Sequence, residues 1–483
     1  MKKIQLALLL AVAVPVTARG QSQSFQEFRN QIHRDFQNYR STILKHYADF
    51  LDGEWHPITP LRPLERYEGP KPSEQPVMRP DVLERPCGPV PSPKQMPETP
   101  QSGSETEPVK EVKPSSGGDG ETFDFFGFDV TVPKIEFNIM RSVANREDTG
   151  AMWRTMEKTG ASKAADMLAG KGNELGFNGY LKYLLTQEYL KNKFPEADEK
   201  ARICALHFLM ANMGYGVRLA MTGSRNPLLL MPYDKTVYGS VYLPIDGTNY
   251  TAVMPASLDP QSVVSGERIY TCSLPSGDTG RKVDLQVGEL RIPYRPYRFD
   301  IEGNGLHLSG ELNENMMRLI YRYPQMPVEG FATSALQPKL RAELVEQVRS
   351  QLAGMDKETA VNTLLGFFHT LPYQIDEERH GFEKPYFLEE LLYYDKCDCE
   401  DRAIAFTYLL WNALGVNCQL IAYPLHESAA VSLPDSPEAG GWDYDGCHWR
   451  SADPTYIGAK IGDVMPQYRT TVPKIDKTYR ARR

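Results

Sequence analysis

The chain has 483 residues, enough for two or three domains of ordinary size. It carries 54 Lys and Arg against 62 Asp and Glu, a formal net charge of −8. This balance disfavours a polycationic protein that binds nucleic acid or an anionic membrane surface. With 41% hydrophobic and 24% charged residues, the composition is typical of a soluble globular protein rather than a fibrous or wholly disordered one.

Residues 1–20 have the pattern of a cleaved secretory signal peptide. Lys2 and Lys3 precede an apolar run from Ile4 to about Val16, and small residues follow up to Gly20. The run is shorter than the ~20 residues that a membrane-spanning helix needs. We therefore expect a periplasmic or extracellular protein without a membrane span after cleavage.

Export permits disulfides, which makes the cysteine count informative. The count is seven, so at least one thiol is unpaired within the chain. The cysteines are Cys87, Cys204, Cys272, Cys397, Cys399, Cys418 and Cys447. The sequence leaves open whether Cys397 pairs with Cys399, Cys418 or Cys447.

Residues 21–56 are predicted to form an N-terminal amphipathic helix. Between Phe25 and Leu51, apolar residues recur every three or four positions. We favour a helix packed on the body of the protein, and self-association of residues 25–51 as a coiled coil is the alternative. Residues 57–120 follow as a linker or a strap over the surface, because 15 of the 37 prolines lie between positions 57 and 116.

The remaining chain is predicted to be α+β in three parts. Residues 121–255 form a first globular domain, residues 256–310 a β-rich connector, and residues 311–483 a second domain with a basic tail after Tyr468. Within this second domain a helical stretch runs from about Lys339 to Thr370.

A helix start carries the leading candidate for chemistry. Asp398 is a good N-cap, the run from Ala403 to Leu414 is apolar, and Gly415 is a natural C-terminal stop. Cys399 is therefore predicted in the first turn, where backbone N–H groups and the helix dipole stabilise a thiolate. Because the acidic neighbours Glu400 and Asp401 oppose this effect, an imidazolium partner is needed.

That partner follows the helix. The pattern after Gly415 predicts three strands, with His426 opening the second and Asp453 closing the third. If these two strands are antiparallel neighbours, His426 lies beside Asp453 at one sheet edge. His448 competes for the same role, but it lies on the strand that ends at Asp453 and would project further along it.

Three motifs in this order resemble the transglutaminase-like superfamily of papain-type fold: Cys399-Glu-Asp at a helix start, His426 opening a strand, and Asp453-Pro-Thr closing another. The resemblance covers roughly Lys339 to Met465, about a quarter of the chain. It implies Cys399 as nucleophile, His426 as general base and acid, and Asp453 as the orienting carboxylate. The chain departs from the family at Cys397, where Gly is usual.

The resemblance also implies an oxyanion site, to which the backbone N–H of Cys399 and the cleft residue Tyr373 are candidate donors. A zinc site is a competing interpretation. Its ligands would be Cys397, Cys399, Cys447 and His448, but their spacing is poor for a zinc knuckle.

A second, degenerate copy of the same fold is predicted over residues 121–255. The segment from Asp198 to Gly214 aligns with that from Cys399 to Gly415, and Met254 aligns with Asp453. This copy lacks the nucleophile and the orienting carboxylate.

The expected function is that of an exported cysteine enzyme that attacks a peptide or carboxamide carbonyl and forms a thioester. Hydrolysis, as by a peptidase or amidase, is favoured, with protein, peptide or peptidoglycan-type amides as substrates and no need for a metal or organic cofactor. Two alternatives stay open: an amine-accepting protein crosslinker, and a catalytically silent binding or scaffold protein that keeps the fold.

Overall fold

The computed structural model describes residues 31, 38–66, 71–78, 120–256, 258–274, 280–433 and 441–480. The predicted signal peptide and much of the Pro-rich stretch lie outside these residues. The described chain is mixed α+β, with antiparallel sheets and helices packed against them.

The described part of the first half contains both helices and strands. Its helices are α1 (Tyr47–Asp52), α2 (Arg146–Lys158), α3 (Ser162–Glu174), α4 (Gly179–Lys193), α5 (Glu199–Asn212) and α6 (Pro260–Ser265). Its strands are β1 (Trp55–Ile58), β2 (Gly120–Phe125), β3 (Phe128–Pro133), β4 (Arg218–Thr222), β5 (Pro227–Met231), β6 (Tyr242–Ile245), β7 (Thr248–Val253) and β8 (Ile269–Cys272). Strands β2 and β3 form a separate hairpin, and the other six form one sheet in the order β1-β8-β4-β5-β7-β6.

The second half begins with a hairpin of β9 (Pro296–Gly303) and β10 (Leu306–Asn313). Its helices are α7 (Glu314–Ile320), α8 (Val328–Thr333), α9 (Pro338–Gln351), α10 (Lys357–Thr370), α11 (Asp376–Arg379), α12 (Leu388–Tyr393) and α13 (Cys399–Leu414). The remaining strands are β11 (Asn417–Tyr423), β12 (His426–Ser432), β13 (Trp442–Tyr444), β14 (Cys447–Ser451) and β15 (Lys474–Tyr479), which form a sheet in the order β13-β14-β12-β11-β15.

The two large sheets share one strand order. Five strands follow helix α5 as β8-β4-β5-β7-β6, and five follow α13 as β15-β11-β12-β14-β13. The turn before β7 places Asp246 and Gly247 at positive φ, and the turn before β14 does the same with Asp445 and Gly446. Duplication as the origin of this likeness stays a prediction.

When the two halves are aligned by their helix N-caps, the alignment differs by one residue from the one predicted from the sequence. Asp198 is the N-cap of α5 and Asp398 is the N-cap of α13, so Glu199, rather than Asp198, lies at the position of Cys399. The first half therefore has a carboxylate where the second has a thiol.

Three other expectations about the elements differ from the structure. The predicted helical stretch from Lys339 to Thr370 is two helices, α9 and α10, because Gly354 between them has a φ of +83°. Strand β8 of the predicted connector pairs with β4, so the first sheet extends past residue 255. The predicted solvated tail contains β15, which pairs with β11.

The described part of the N-terminal helix packs on the body of the protein. Ile43, Tyr47 and Leu51 are buried. The Tyr47 ring stacks on Trp153 of α2 with centroids 4.2 Å apart. In the ranges that the structure describes, no helix has both the length and the apolar character needed to cross a bilayer.

Candidate active site

Cys399 is the first residue of α13, and its side chain is buried at the N-terminal end of the helix. The helix ends at Gly415, whose φ of +61° is the left-handed conformation of a C-terminal stop. Asp398 occupies the N-cap position but makes no side-chain cap hydrogen bond. Its backbone N–H donates to the Asp401 carboxylate at 3.0 Å.

His426 and Asp453 meet on neighbouring antiparallel strands. His426 opens β12, Asp453 follows β14, and His426 Nε2 lies 2.7 Å from Asp453 Oδ2. The other carboxylate oxygen accepts the N–H of Thr455 at 2.9 Å. Burial alone would raise the pKa of the Asp453 carboxyl, but His426 and the backbone N–H groups of Thr455 and Tyr456 hold it below its ordinary value.

The imidazole of His426 is fixed from two sides. Besides Asp453, Tyr468 stacks parallel to the ring, with centroids 5.9 Å apart and an interplanar angle of 3°. The Tyr468 hydroxyl donates to the Pro424 carbonyl at 2.7 Å, just before β12. His448, the competing candidate, lies on β14 and pairs instead with Asp443 at 2.8 Å.

The Cys399 thiol is buried among carboxylates. Its Sγ lies 3.1 Å from Glu400 Oε2 and accepts the N–H of Glu427 at 3.5 Å. Burial, followed by the negative charges of Glu400 and Asp398, holds the pKa of the Cys399 thiol well above its ordinary value. The described residues include no hydrogen bond between Cys399 and His426, so the expected pairing of this thiol with an imidazolium is not seen in this arrangement.

A segment from the Pro-rich stretch covers the site. The strap, residues 71–78, crosses the cleft and inserts Lys71 beside Cys399. The ammonium of Lys71 pairs with Asp398, with Glu400 at 2.7 Å and with Glu383 at 3.0 Å. Burial alone would lower the pKa of Lys71, but these carboxylates hold it well above its ordinary value.

The backbone of the strap is held on both sides of the cleft. The Tyr373 hydroxyl donates to the Pro72 carbonyl at 3.0 Å. On the opposite side, Gln75 Nε2 donates to the Thr455 carbonyl at 3.1 Å and Met78 N donates to the Ile457 carbonyl at 2.9 Å. Tyr373, predicted as a cleft donor, thus binds a peptide carbonyl that belongs to the protein itself.

Arg66 adds a second cation next to the strap. It lies 3.8 Å from Glu400 and 3.6 Å from Glu427. Burial alone would raise the pKa of the Glu400 carboxyl, but Lys71 and Arg66 hold it well below its ordinary value. A cavity lined by Arg66, Glu427, Lys474 and other residues opens behind this pair.

The other thiol of the motif lies apart from the reacting groups. Cys397 Sγ accepts a hydrogen bond from Arg402 Nε at 3.3 Å. Burial raises the pKa of the Cys397 thiol to about 11. All six cysteines in the described ranges are free thiols: Cys204, Cys272, Cys397, Cys399, Cys418 and Cys447.

Two groups of side chains have ligand atoms close enough for a metal ion. One consists of Asp398, Cys399 and Glu400, the other of Asp376, Glu383 and Glu400. Of the described residues, neither Cys447 nor His448 belongs to such a group, which argues against the Cys397, Cys399, Cys447 and His448 zinc set. Both groups share Glu400, whose carboxylate already pairs with Lys71.

Several residues of this site were not singled out from the sequence. Glu427 adjoins His426 in the chain, but its contact with Cys399 depends on how the strand start meets the helix. Lys71 and Arg66 belong to the Pro-rich stretch, and Glu383 to the loop before α12, so no local pattern connects them with Cys399. Comparison with protein-family models, curated proteins and solved structures found no match for this chain.

Proposed function

We propose that the chain is a transglutaminase-like cysteine enzyme of papain-type fold, held closed in the form described here. The observation that carries the proposal is the 2.7 Å hydrogen bond between His426 and Asp453, beside the start of the helix that bears Cys399. This fixes the imidazole through Nε2 and leaves Nδ1 for proton exchange.

The reaction follows from these groups. With the strap displaced, His426 takes the Cys399 proton, and the sulfur attacks a peptide or carboxamide carbonyl. The tetrahedral oxyanion is stabilised by the backbone N–H of Cys399 and the Tyr373 hydroxyl. Protonated His426 gives its proton to the leaving amine as the C–N bond breaks, and water then hydrolyses the thioester to return the thiol.

A silent scaffold is the second candidate, because Cys399 is only 1% exposed and burial holds the pKa of its thiol well above the ordinary value. Acylation separates the two candidates. The full chain and its Lys71→Met variant are incubated with p-nitrophenyl acetate, quenched in acid and digested, and Cys399 is examined by mass spectrometry for an added acetyl group.

Acetylation of Cys399 that is lost in His426→Gln supports the enzyme. The matched control is Cys418→Ser. It removes a buried thiol on β11, the strand that pairs with the strand of His426, and leaves the Cys399 label in place. Absence of acetylation in both chains, or equal acetylation with His426→Gln, rejects the enzyme and favours the scaffold.

A further inference from the structure

The acidic surroundings of Cys399 exceed what the fold needs. Glu383, Asp398, Glu400 and Glu427 all lie within reach of Lys71 or Arg66, and all but Glu383 are fully or almost fully buried. Burying a charged pair costs several kcal/mol per ion, and well-packed apolar side chains are often as stabilising or more so. A cluster of buried carboxylates beside a nucleophile therefore calls for an explanation other than stability.

Asp398 is the clearest sign that the cluster serves a ligand. At the equivalent helix start in the first half, Asp198 caps α5 by accepting the N–H of Ala201 at 2.7 Å. Asp398 occupies the same N-cap position, but its Oδ2 pairs with Lys71. In the described chain its Oδ1 has no hydrogen-bond partner, although the residue is fully buried.

Glu427 repeats this pattern on the other side of Cys399. Its carboxylate is buried, Oε2 is 3.6 Å from Arg66, and Oε1 has no hydrogen-bond partner among the described residues. Among the described residues, each of these two buried carboxyl groups thus has one oxygen that pairs with a cation and one without a hydrogen-bond partner.

Lys71, which lies between these carboxylates, shows that the site accepts an ammonium group. Lys71 is a surface-type residue in a Pro-rich stretch, yet its side chain is only 1% exposed. Its ammonium group donates hydrogen bonds to Asp398 and Glu400, and a third carboxylate, that of Glu383, pairs with it at 3.0 Å. The next carbonyl along the chain, that of Pro72, takes the Tyr373 hydroxyl. The strap thus presents a cationic side chain and a following peptide carbonyl as a bound substrate would.

We propose that Glu383, Asp398, Glu400 and Glu427 form a subsite for a lysyl side chain of the substrate, and that Lys71 occupies this subsite in the closed chain. The proposal rests on the proposed function and names the substrate class of the same site: peptides with a lysine one residue before the carbonyl that Tyr373 binds. Such a substrate binds by displacing the strap.

The test uses protection of Cys399 from iodoacetamide in full-length Lys71→Met, which removes the charge and keeps the chain length. We expect alkylation at least ~10-fold faster than in the unaltered chain, because loss of the ion pairs frees the strap and exposes the buried thiol. This gain outweighs the loss of the Lys71 charge, which lowers the pKa of the Cys399 thiol. N-acetyl-lysine N-methylamide then slows alkylation, whereas N-acetyl-norleucine N-methylamide, its uncharged counterpart, does not. Glu383→Gln in the same chain weakens the protection by the lysine derivative.

Equal protection by the two derivatives, protection by neither, or protection by Mg²⁺ alone overturns the proposal. If Lys71→Met does not fold, Gln75→Ala loosens the strap at its contact with Thr455 and leaves the subsite intact, so the same comparison can be made. The outcome is separable from the proposed function. Acetylation of Cys399 that depends on His426, combined with equal protection by the two derivatives, refutes only the subsite. Protection by the lysine derivative alone, without any acetylation, refutes only the enzyme.

Discussion

His426 Nε2 lies 2.7 Å from Asp453 Oδ2, because His426 opens β12 and Asp453 follows β14, the strand that pairs with β12. The hydrogen bond selects which ring nitrogen faces the carboxylate and therefore which one is left for proton transfer. Two substitutions can separate this positioning from the proton transfer itself.

We expect His426→Gln to lower the rate of Cys399 acetylation by ~10²–10⁴-fold, because the amide can still donate to Asp453 but cannot act as a base. His426→Ala should in addition lower the free energy of unfolding by about 1–3 kcal/mol, since it removes the partner of the buried Asp453 carboxylate. Acetylation rates and urea denaturation measure the two effects. The matched control is His448→Gln, in the β13–β14 hairpin, and an equal loss of acetylation there would contradict the assignment.

Tyr468 is expected to act as a positioning residue through its stack on His426. Tyr468→Phe keeps the ring, so acetylation should stay within about twofold of the unaltered chain, whereas Tyr468→Ala should lower it by ~10-fold. Because a displaced imidazole changes its surroundings, Tyr468→Ala should also shift the pH midpoint of acetylation. An unchanged pH profile with a lower rate would indicate a merely structural role.

Stability should fall as the pH rises through neutrality. Burial, followed by the charge of Glu400, raises the pKa of the Asp401 carboxyl to about 7, against ~3.9 in an unfolded chain. The folded chain therefore binds this proton more tightly than the unfolded chain. Its stabilisation is fully present below ~3.9 and is lost as the pH passes about 7.

Urea denaturation at pH 5.5, 7 and 8.5 measures this dependence. Other buried carboxyls with raised pKa values, such as Glu427, act in the same direction, so the contribution of Asp401 is isolated with Asp401→Asn. This variant should flatten the profile around pH 7. A profile equally steep with and without the Asp401 carboxyl would assign the dependence to the other groups.

The N-terminal helix should contribute to the stability of the first half. Tyr47 is 2% exposed, stacks on Trp153 and lies 3.1 Å from His207 Nε2 through its hydroxyl. We expect Tyr47→Ala to cost about 3 kcal/mol of unfolding free energy. Tyr39→Ala, at a position that is 44% exposed, should stay within about 0.5 kcal/mol. A melting temperature that rises with protein concentration would instead favour self-association through residues 25–51.

Local signals explain what the sequence could predict of the site. The N-cap position of Asp398, the apolar run and Gly415 bound the helix that begins at Cys399, because caps and glycine act within one turn. The placement of His426 beside Asp453 follows from taking the two predicted strands as antiparallel neighbours. These inferences need only neighbours along the chain and the geometry of an antiparallel pair.

The contacts that close the site are not local, and so they were not predicted. Lys71 and Asp398 are 327 positions apart, and the prolines around Lys71 indicate an extended chain without saying where it lies. The charges after Tyr468 suggested a solvated tail, but Tyr479 of β15 contacts the ring of Trp411 on α13, and β15 pairs with β11. Burial, to which distant parts of the chain contribute, raises the pKa of the Cys399 thiol more than its neighbours Glu400 and Asp398 do.

The strap also has an effective concentration at the cleft, and any incoming ligand must compete with it. Because Lys71 is joined to the cleft through the chain, it returns as a tethered ligand, and short tethers give effective concentrations in the millimolar range. Its upstream anchor, the pairing of β1 with β8, belongs to the other half of the molecule. A weakly binding free lysine should therefore leave the cleft shut, while a longer peptide that also takes the Tyr373 and Thr455 contacts could open it.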